Sequence, residues 1–166
     1  MELLEFIRDC LGLTRLYHYA DPMSGYLINV QEDGENFPWH FDTNEFTISV
    51  MLQNPKGGGV FEYAPAIRNS RSENYPAVAA VMAGERQRVI ALALEPGDLQ
   101  IFKGRYSLHR VTEVKGRRRR YAAIFGYSEK PGVISKASRK LKLFGRCLDE
   151  HLEAEARGAV RNLSGS

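Results

Sequence analysis

Four residues of the 166-residue chain have the types and order to do metal chemistry. His40 and Asp42 stand two apart in FPWHFDTNEFTISVML (37–52), His109 lies within SLHRV (107–111), and Arg120 opens RYAAIFGYS (120–128). Side chains two apart on an extended chain point the same way, so His40 and Asp42 share a face. A lone His-x-Asp would arise by chance in roughly one such sequence in seven, so its value rests on context. Two imidazoles and one carboxylate on one side of a metal suit ferrous iron and leave three coordination positions open. An arginine supplies a planar, permanently charged fork for a dicarboxylate. Four arginines run from 117 to 120, and alternation puts Arg118 and Arg120 on one face and Arg117 and Arg119 on the other. Each residue also has a plainer reading: Asp42 capping a turn, with His40 incidental; His109 a satisfied core histidine; Arg120 a surface arginine of a basic hairpin.

The elements that would position these residues are short strands separated by turn signals. GYLINVQ (25–31) alternates apolar and polar residues, and Asp33-Gly34 and Pro38 then break it. EFTISVMLQ (45–53) follows the His-x-Asp, and VFEY (60–63) follows the glycine run 57–59. RVIALAL (88–94), LQIF (99–102), SLHRV and RYAAIFGYS complete the set, which predicts a sandwich or barrel. Between residues 64 and 86 the pattern weakens into a loop and a helix ending at Gly84, a stretch with the length of a substrate lid or of surface decoration. A helix is predicted over Glu2 to Leu13, with Gly12 as terminator. A C-terminal helix is predicted over about 135–157, with Ser135 as N-cap and Ala137, Leu141, Phe144, Leu148 and Leu152 as its packing stripe. Gly145 would bend or break it, and 158–166 reads as a frayed tail.

Length and composition predict a single domain over 1–157 with its core at about 26–128. With 43% hydrophobic and 26% charged residues and no 18-residue apolar run, no membrane span is expected. The first residues carry acids and no basic n-region, so the cytoplasm is the expected location. Cys10 and Cys147 are far apart and suggest neither a disulfide framework nor a zinc site. The net charge of +3 is mild, and the basic runs at 115–120 and 136–146 read as solvated faces rather than a nucleic-acid patch. His18 and His151 have no partner at ligand spacing. Trp39 and Phe41 read as core before pocket lining, and Asn29 and Tyr17 are further residues that neighbouring strands would bring toward the site.

In order and spacing, WHFD, then PGDLQIFKGRYSLHRV, then RYAAIFGY resembles the Fe(II)/2-oxoglutarate-dependent oxygenases of the double-stranded β-helix fold. WHFDTNEFTISVMLQ with GGGVFEY and GRYSLHRVTEVKGRRRRYAAIFGYSEKPG is similar to a bacterial subgroup of hydroxylases and halogenases of free amino acids and other small molecules. The resemblance implies a jelly-roll, cupin-like core with flanking helices. It also implies His40, Asp42 and His109 as metal ligands, and Fe(II), 2-oxoglutarate and O2 as cofactor and cosubstrates. Arg120, at the head of its strand, would bind the distal carboxylate of 2-oxoglutarate, with Arg118 in reserve. Halogenating relatives carry a small residue where Asp42 stands, which leaves room for a halide, so Asp42 implies hydroxylation or desaturation. A small-molecule substrate is expected, and the oligomeric state is open. About 25 residues precede the core, fewer than the subgroup usually has, as in a short form, a fragment or a mis-started frame. The competing readings are a peptide hydroxylase, a cupin-like metal enzyme that ignores 2-oxoglutarate, and a non-catalytic β-helix that keeps its ligands as a binding module.

Overall fold

In the computed structural model, which describes residues 2–158, helix α1 (Leu3–Cys10) leads into strands β1 (Tyr17–His18), β2 (Tyr26–Gln31), β3 (Phe37–His40) and β4 (Phe46–Gln53). Next come β5 (Gly57–Gly58), β6 (Phe61–Ala64), α2 (Tyr75–Met82), β7 (Ile90–Leu92), β8 (Leu99–Phe102) and β9 (Leu108–Val111). The chain continues through β10 (Val114–Lys115), β11 (Arg120–Ser128), α3 (Ala137–Phe144) and α4 (Asp149–Ala156). No helix among the described residues is long and apolar enough to cross a membrane.

Two antiparallel sheets carry the fold. One runs β1-β11-β4-β8 with β2 also on β11, and the other runs β3-β9-β6-β7; β5 and β10 form a small ribbon. From β2 to β11 the chain passes repeatedly between the sheets, which is the double-stranded β-helix expected from the sequence. β4 is buried over most of its length because both of its faces are covered. Phe46 and Ile48 meet Ile7 of α1, Leu16 and Tyr127 in one core cluster, while Thr47 and Ser49 face the other way. A second cluster joins Ala64, Ile67 and Leu108 to Val81 of α2, with Trp39 and Phe41 packed against it. The aromatic residues flanking His40 therefore serve the core. The 64–86 stretch is pinned there as well: Arg68 stacks 3.5 Å over the Phe41 ring and donates to the Arg105 carbonyl at 2.8 Å.

In the C-terminal region the break expected at Gly145 occurs: it takes φ +68° and ends α3, so the helix over 135–157 is two, and the capping and the buried face differ from the prediction. Ser135 is not its cap; Lys136 holds the N-cap position, and the Ser135 hydroxyl meets the Tyr19 hydroxyl at 2.8 Å in the interior. Of the predicted stripe Ala137 is buried and Leu148 half-buried, while Leu141, Phe144 and Leu152 are exposed. Lys140 and His151 are buried in its place, and both reach Asp21: Lys140 Nζ lies 3.0 Å from Oδ1 and His151 Nε2 3.4 Å from Oδ2. The basic run at 136–146 is therefore not wholly a solvated face. Backbone N–H groups of Met23, Ser24 and Ser135 donate to the same carboxylate. Burial alone would raise the Asp21 carboxyl, but the Lys140 ammonium and these donors outweigh it and hold the group below 3.8. Removing one partner of a buried pair leaves a bare charge, so Lys140→Met is expected to cost about 3 kcal/mol of stability, read as a lowered urea midpoint. The tail predicted at 158–166 lies, from residue 159 on, outside the described residues.

Candidate metal centre and cosubstrate pocket

The antiparallel register of β3 and β9 sets His40 directly opposite His109, with ring centroids 4.0 Å apart. Nδ1 of His40 lies 2.8 Å from the Pro38 carbonyl, and Nδ1 of His109 lies 2.8 Å from the Ser107 carbonyl. A carbonyl only accepts, so each Nδ1 carries the proton and each Nε2 keeps a free lone pair. Those two Nε2 atoms lie 3.7 Å and 3.5 Å from Oδ1 of Asp42. One ligand atom from each of the three residues lies within 4.8 Å of the others, a group that could hold a metal ion. Phe37 packs edge-on to the His40 ring, and Phe102 edge-on to that of His109, which restrains both imidazoles.

Asp42 is held as firmly as the histidines. Its N–H donates to the Gly104 carbonyl at 3.0 Å, and its Oδ2 accepts from the Thr47 hydroxyl at 2.5 Å. Thr47 in turn accepts from Asn44 Nδ2 at 2.9 Å, which fixes its proton toward Asp42. Oδ2 is thereby occupied and Oδ1 is left for the centre. Gly104 lies so close that a Cβ there would meet Asp42 Oδ2 at 1.8 Å. Neither Thr47 nor Gly104 stood out in the sequence. Thr47 was visible only as a polar residue on the inward alternation of a strand, and Gly104 only as a loop glycine before the second histidine.

Burial and the neighbouring His109 push the His40 imidazole down to about 4. His109 moves the other way: burial alone would lower it, but the Asp42 carboxylate outweighs that and lifts it above 6.5. Of the two imidazoles His109 is therefore the more readily protonated, and a proton there competes with a metal. Metal affinity is expected to fall about tenfold per pH unit once pH drops below the raised His109 value. His40 stays neutral down to about pH 4 and adds no proton competition above it. Mn(II) titration across this range, with proton release recorded, checks the sign.

Arg120 heads β11 and is 3% exposed. Its Nε donates to the Gly59 carbonyl at 3.0 Å and its Nη1 to Gln31 Oε1 at 3.3 Å, and no carboxylate among the described residues pairs with it. Burial pulls the guanidinium down to about 10. Gly59, with φ +62°, makes room, since a Cβ there would meet Arg120 Cδ at 3.2 Å. Arg118 does not share this face: the strand begins only at Arg120, and Arg118 is exposed in the preceding bend, where the two-residue alternation does not apply. Arg119 pairs with Glu32 at 2.6 Å.

Cross-strand register connects the arginine to the triad. Arg120 lies opposite Gln31, Ala122 opposite Asn29 and Met51, Ile124 opposite Ser49, Ser49 opposite Gln100, and Thr47 opposite Phe102. Cross-strand partners share a face, so Arg120, Gln31, Asn29, Gln100 and the Asp42-binding Thr47 all face one interior. Asn29 is thus on the site face, whereas Tyr17 sits opposite Ser128 near the far end of β11. Gly59, the anchor of Arg120, donates its N–H to the Glu113 carbonyl, four residues past His109 in sequence.

A family model described as HalD, Halogenase D, matches residues 2–142. Among solved structures, AviO1 from Streptomyces viridochromogenes Tue57 superimposes with a TM-score of 0.58 at 16% identity, covering 78% of this chain and 57% of that one. EctD from S. alaskensis, solved with 2-oxoglutarate and 5-hydroxyectoine, gives 0.52 at 19% identity, covering 76% and 48%. An oxidoreductase of the 2OG-Fe(II) oxygenase family from Burkholderia pseudomallei gives 0.50 at 18% identity, covering 76% and 50%. The chain spans about half the length of these solved relatives. No curated protein matches it. The family match covers most of the chain, and the fold superimposes on the oxygenase structures: the chain belongs to the Halogenase D family, built on the double-stranded β-helix of the 2OG-Fe(II) oxygenases.

Proposed function

We propose that this chain is an Fe(II)- and 2-oxoglutarate-dependent oxygenase that hydroxylates a small molecule such as an amino acid or a derivative. The observation that carries the reading is the pair of Nε2 lone pairs turned toward Asp42 Oδ1, with an acid-free buried arginine on the same interior face. His40, Asp42 and His109 would hold the iron, and Arg120 would hold the distal carboxylate of 2-oxoglutarate. When bound, iron with 2-oxoglutarate and dioxygen supplies oxidation, yielding succinate and carbon dioxide while one oxygen atom goes to the substrate. The chain's part is placement: the Pro38 and Ser107 carbonyls aim the imidazoles, Thr47 turns Asp42, and Phe37 and Phe102 pack edge-on against the two rings.

Asp42 favours hydroxylation or desaturation over halogenation. Its carboxylate fills the third ligand position, where a halide would need room, so hydroxylation is the reading and chloride is expected to leave no trace in product. A small-molecule substrate is supported by the EctD structure, which holds 5-hydroxyectoine. The test is anaerobic titration with Fe(II) and 2-oxoglutarate, watching for the visible charge-transfer band of the chelate, followed by succinate release in air. A His40→Ala chain that kept the same band and turnover would sink the assignment.

A further inference from the structure

Beside Arg120 lies a carboxamide with half of its hydrogen-bonding capacity unused. Gln31 is 3% exposed and sits opposite Arg120 on β2. Its Oε1 accepts from Arg120 Nη1, which fixes the orientation of the amide, while its Nε2 has no partner among the described residues. A buried donor left unmade is costly, and a buried guanidinium without an anion among the described residues adds to that. Other arginines here meet acids: Arg119 meets Glu32, Arg68 meets Glu73, and Arg86 and Arg110 both meet Glu62. Position 31 differs. A glutamate there would neutralise Arg120 from within, whereas glutamine leaves the charge in place and adds a donor beside it. The two donors side by side match a ligand with two anionic oxygens, one for each.

We propose that Gln31 is a cosubstrate-binding residue whose Nε2 donates to the distal carboxylate of 2-oxoglutarate beside Arg120, and whose neutrality makes the pocket prefer a carboxylate over a neutral amide. The inference rests on the function proposed above.

The test uses the Fe(II)-loaded chain without oxygen and two isosteric probes, 2-oxoglutarate and its 5-amide, 2-oxoglutaramate. Dissociation constants are read from the visible band and by calorimetry. The unsubstituted chain is expected to prefer 2-oxoglutarate about 100-fold or more, since two charge-assisted bonds are at stake. Gln31→Glu, which supplies Arg120 with an internal anion, is expected to lose at least about 100-fold for 2-oxoglutarate while holding the amide within about threefold. Gln31→Met is expected to lose about tenfold for 2-oxoglutarate, the worth of one such bond. Both variants should bind Fe(II) as before and melt at the same temperature or higher. A parallel loss for both probes, or an unchanged preference in both variants, overturns the inference and leaves the functional reading standing. An unsubstituted chain that binds Fe(II) but neither keto acid overturns the functional reading and this inference with it.

Discussion

Gly104→Ala is expected to abolish metal binding at the His40–Asp42–His109 site, although residue 104 offers no ligand atom. A Cβ built there would lie 1.8 Å from Oδ2, 2.6 Å from Cγ and 2.9 Å from Cβ of Asp42. These separations are far inside van der Waals contact, and the obstruction reaches back to the base of the aspartate. Rotating the carboxylate alone would not relieve it. Asp42 cannot yield cheaply either, because its N–H is tied to the Gly104 carbonyl and its Oδ2 to Thr47. The methyl group must therefore push either the carboxylate off its hydrogen bonds or the 103–107 loop away from β3. Either way Oδ1 leaves the two imidazoles. Loss of an outer partner alone typically costs 10–100-fold in metal affinity, and here the ligand itself is displaced, so a loss of about 100-fold or more is expected. Overpacking should cost the fold only about 1–3 kcal/mol, so the variant remains folded and its Mn(II) or Fe(II) affinity can be measured directly. Unchanged metal affinity in a folded Gly104→Ala chain would show that Asp42 is not a ligand.

Arg120→Met is expected to separate cosubstrate binding from metal binding. A bidentate guanidinium–carboxylate contact contains two charge-assisted bonds, each about 1.5–3 kcal/mol, so 2-oxoglutarate affinity should fall about 100-fold or more. Fe(II) affinity should not move, since Arg120 is anchored to Gly59 and Gln31 and touches none of the three ligands. Stability should fall less than in Lys140→Met. The guanidinium is pulled down to about 10 by burial, so folding disfavours its charged form, and its removal orphans no acid among the described residues, only the Gly59 carbonyl and Gln31 Oε1. Lys140→Met costs more, because there a buried acid is left bare. Denaturant midpoints, lowered further in Lys140→Met than in Arg120→Met, would check the distinction. An Arg120→Met chain with the original 2-oxoglutarate affinity would place the dicarboxylate elsewhere.

Much of the scaffold was legible in sequence because strands and turns announce themselves locally. β11 begins and ends where RYAAIFGYS does, and β8 coincides with LQIF, since each is a run of β-formers bounded by turn residues. The His-x-Asp pair was legible for the same reason, as a two-residue spacing on extended chain. Its third member needed a second strand to be recognised, and the pairing of His40 with His109 needed the register.

What periodicity could not decide was which face is buried. At the C-terminus it named the helical residues and, Ala137 apart, chose the wrong side, because Lys140 pairs with Asp21, far away in sequence, and His151 packs against the same carboxylate, while Leu141 and Phe144 are left in solvent. Alternation likewise paired Arg118 with Arg120, and the turn ended that pairing two residues before the strand began.

By itself, then, the sequence located most of the longer strands and gave the candidate ligand types and their spacing, since these follow from local chain geometry and side-chain chemistry, while Arg120 stood out from Arg118 only through the family resemblance. Only the tertiary structure decided how the site is held. Gly104 against Asp42, Thr47 turning its oxygen, and Gln31 beside Arg120 are contacts between segments 5 to 89 residues apart. Such contacts depend on sheet register and on the close approach of one backbone to another, which no local pattern records.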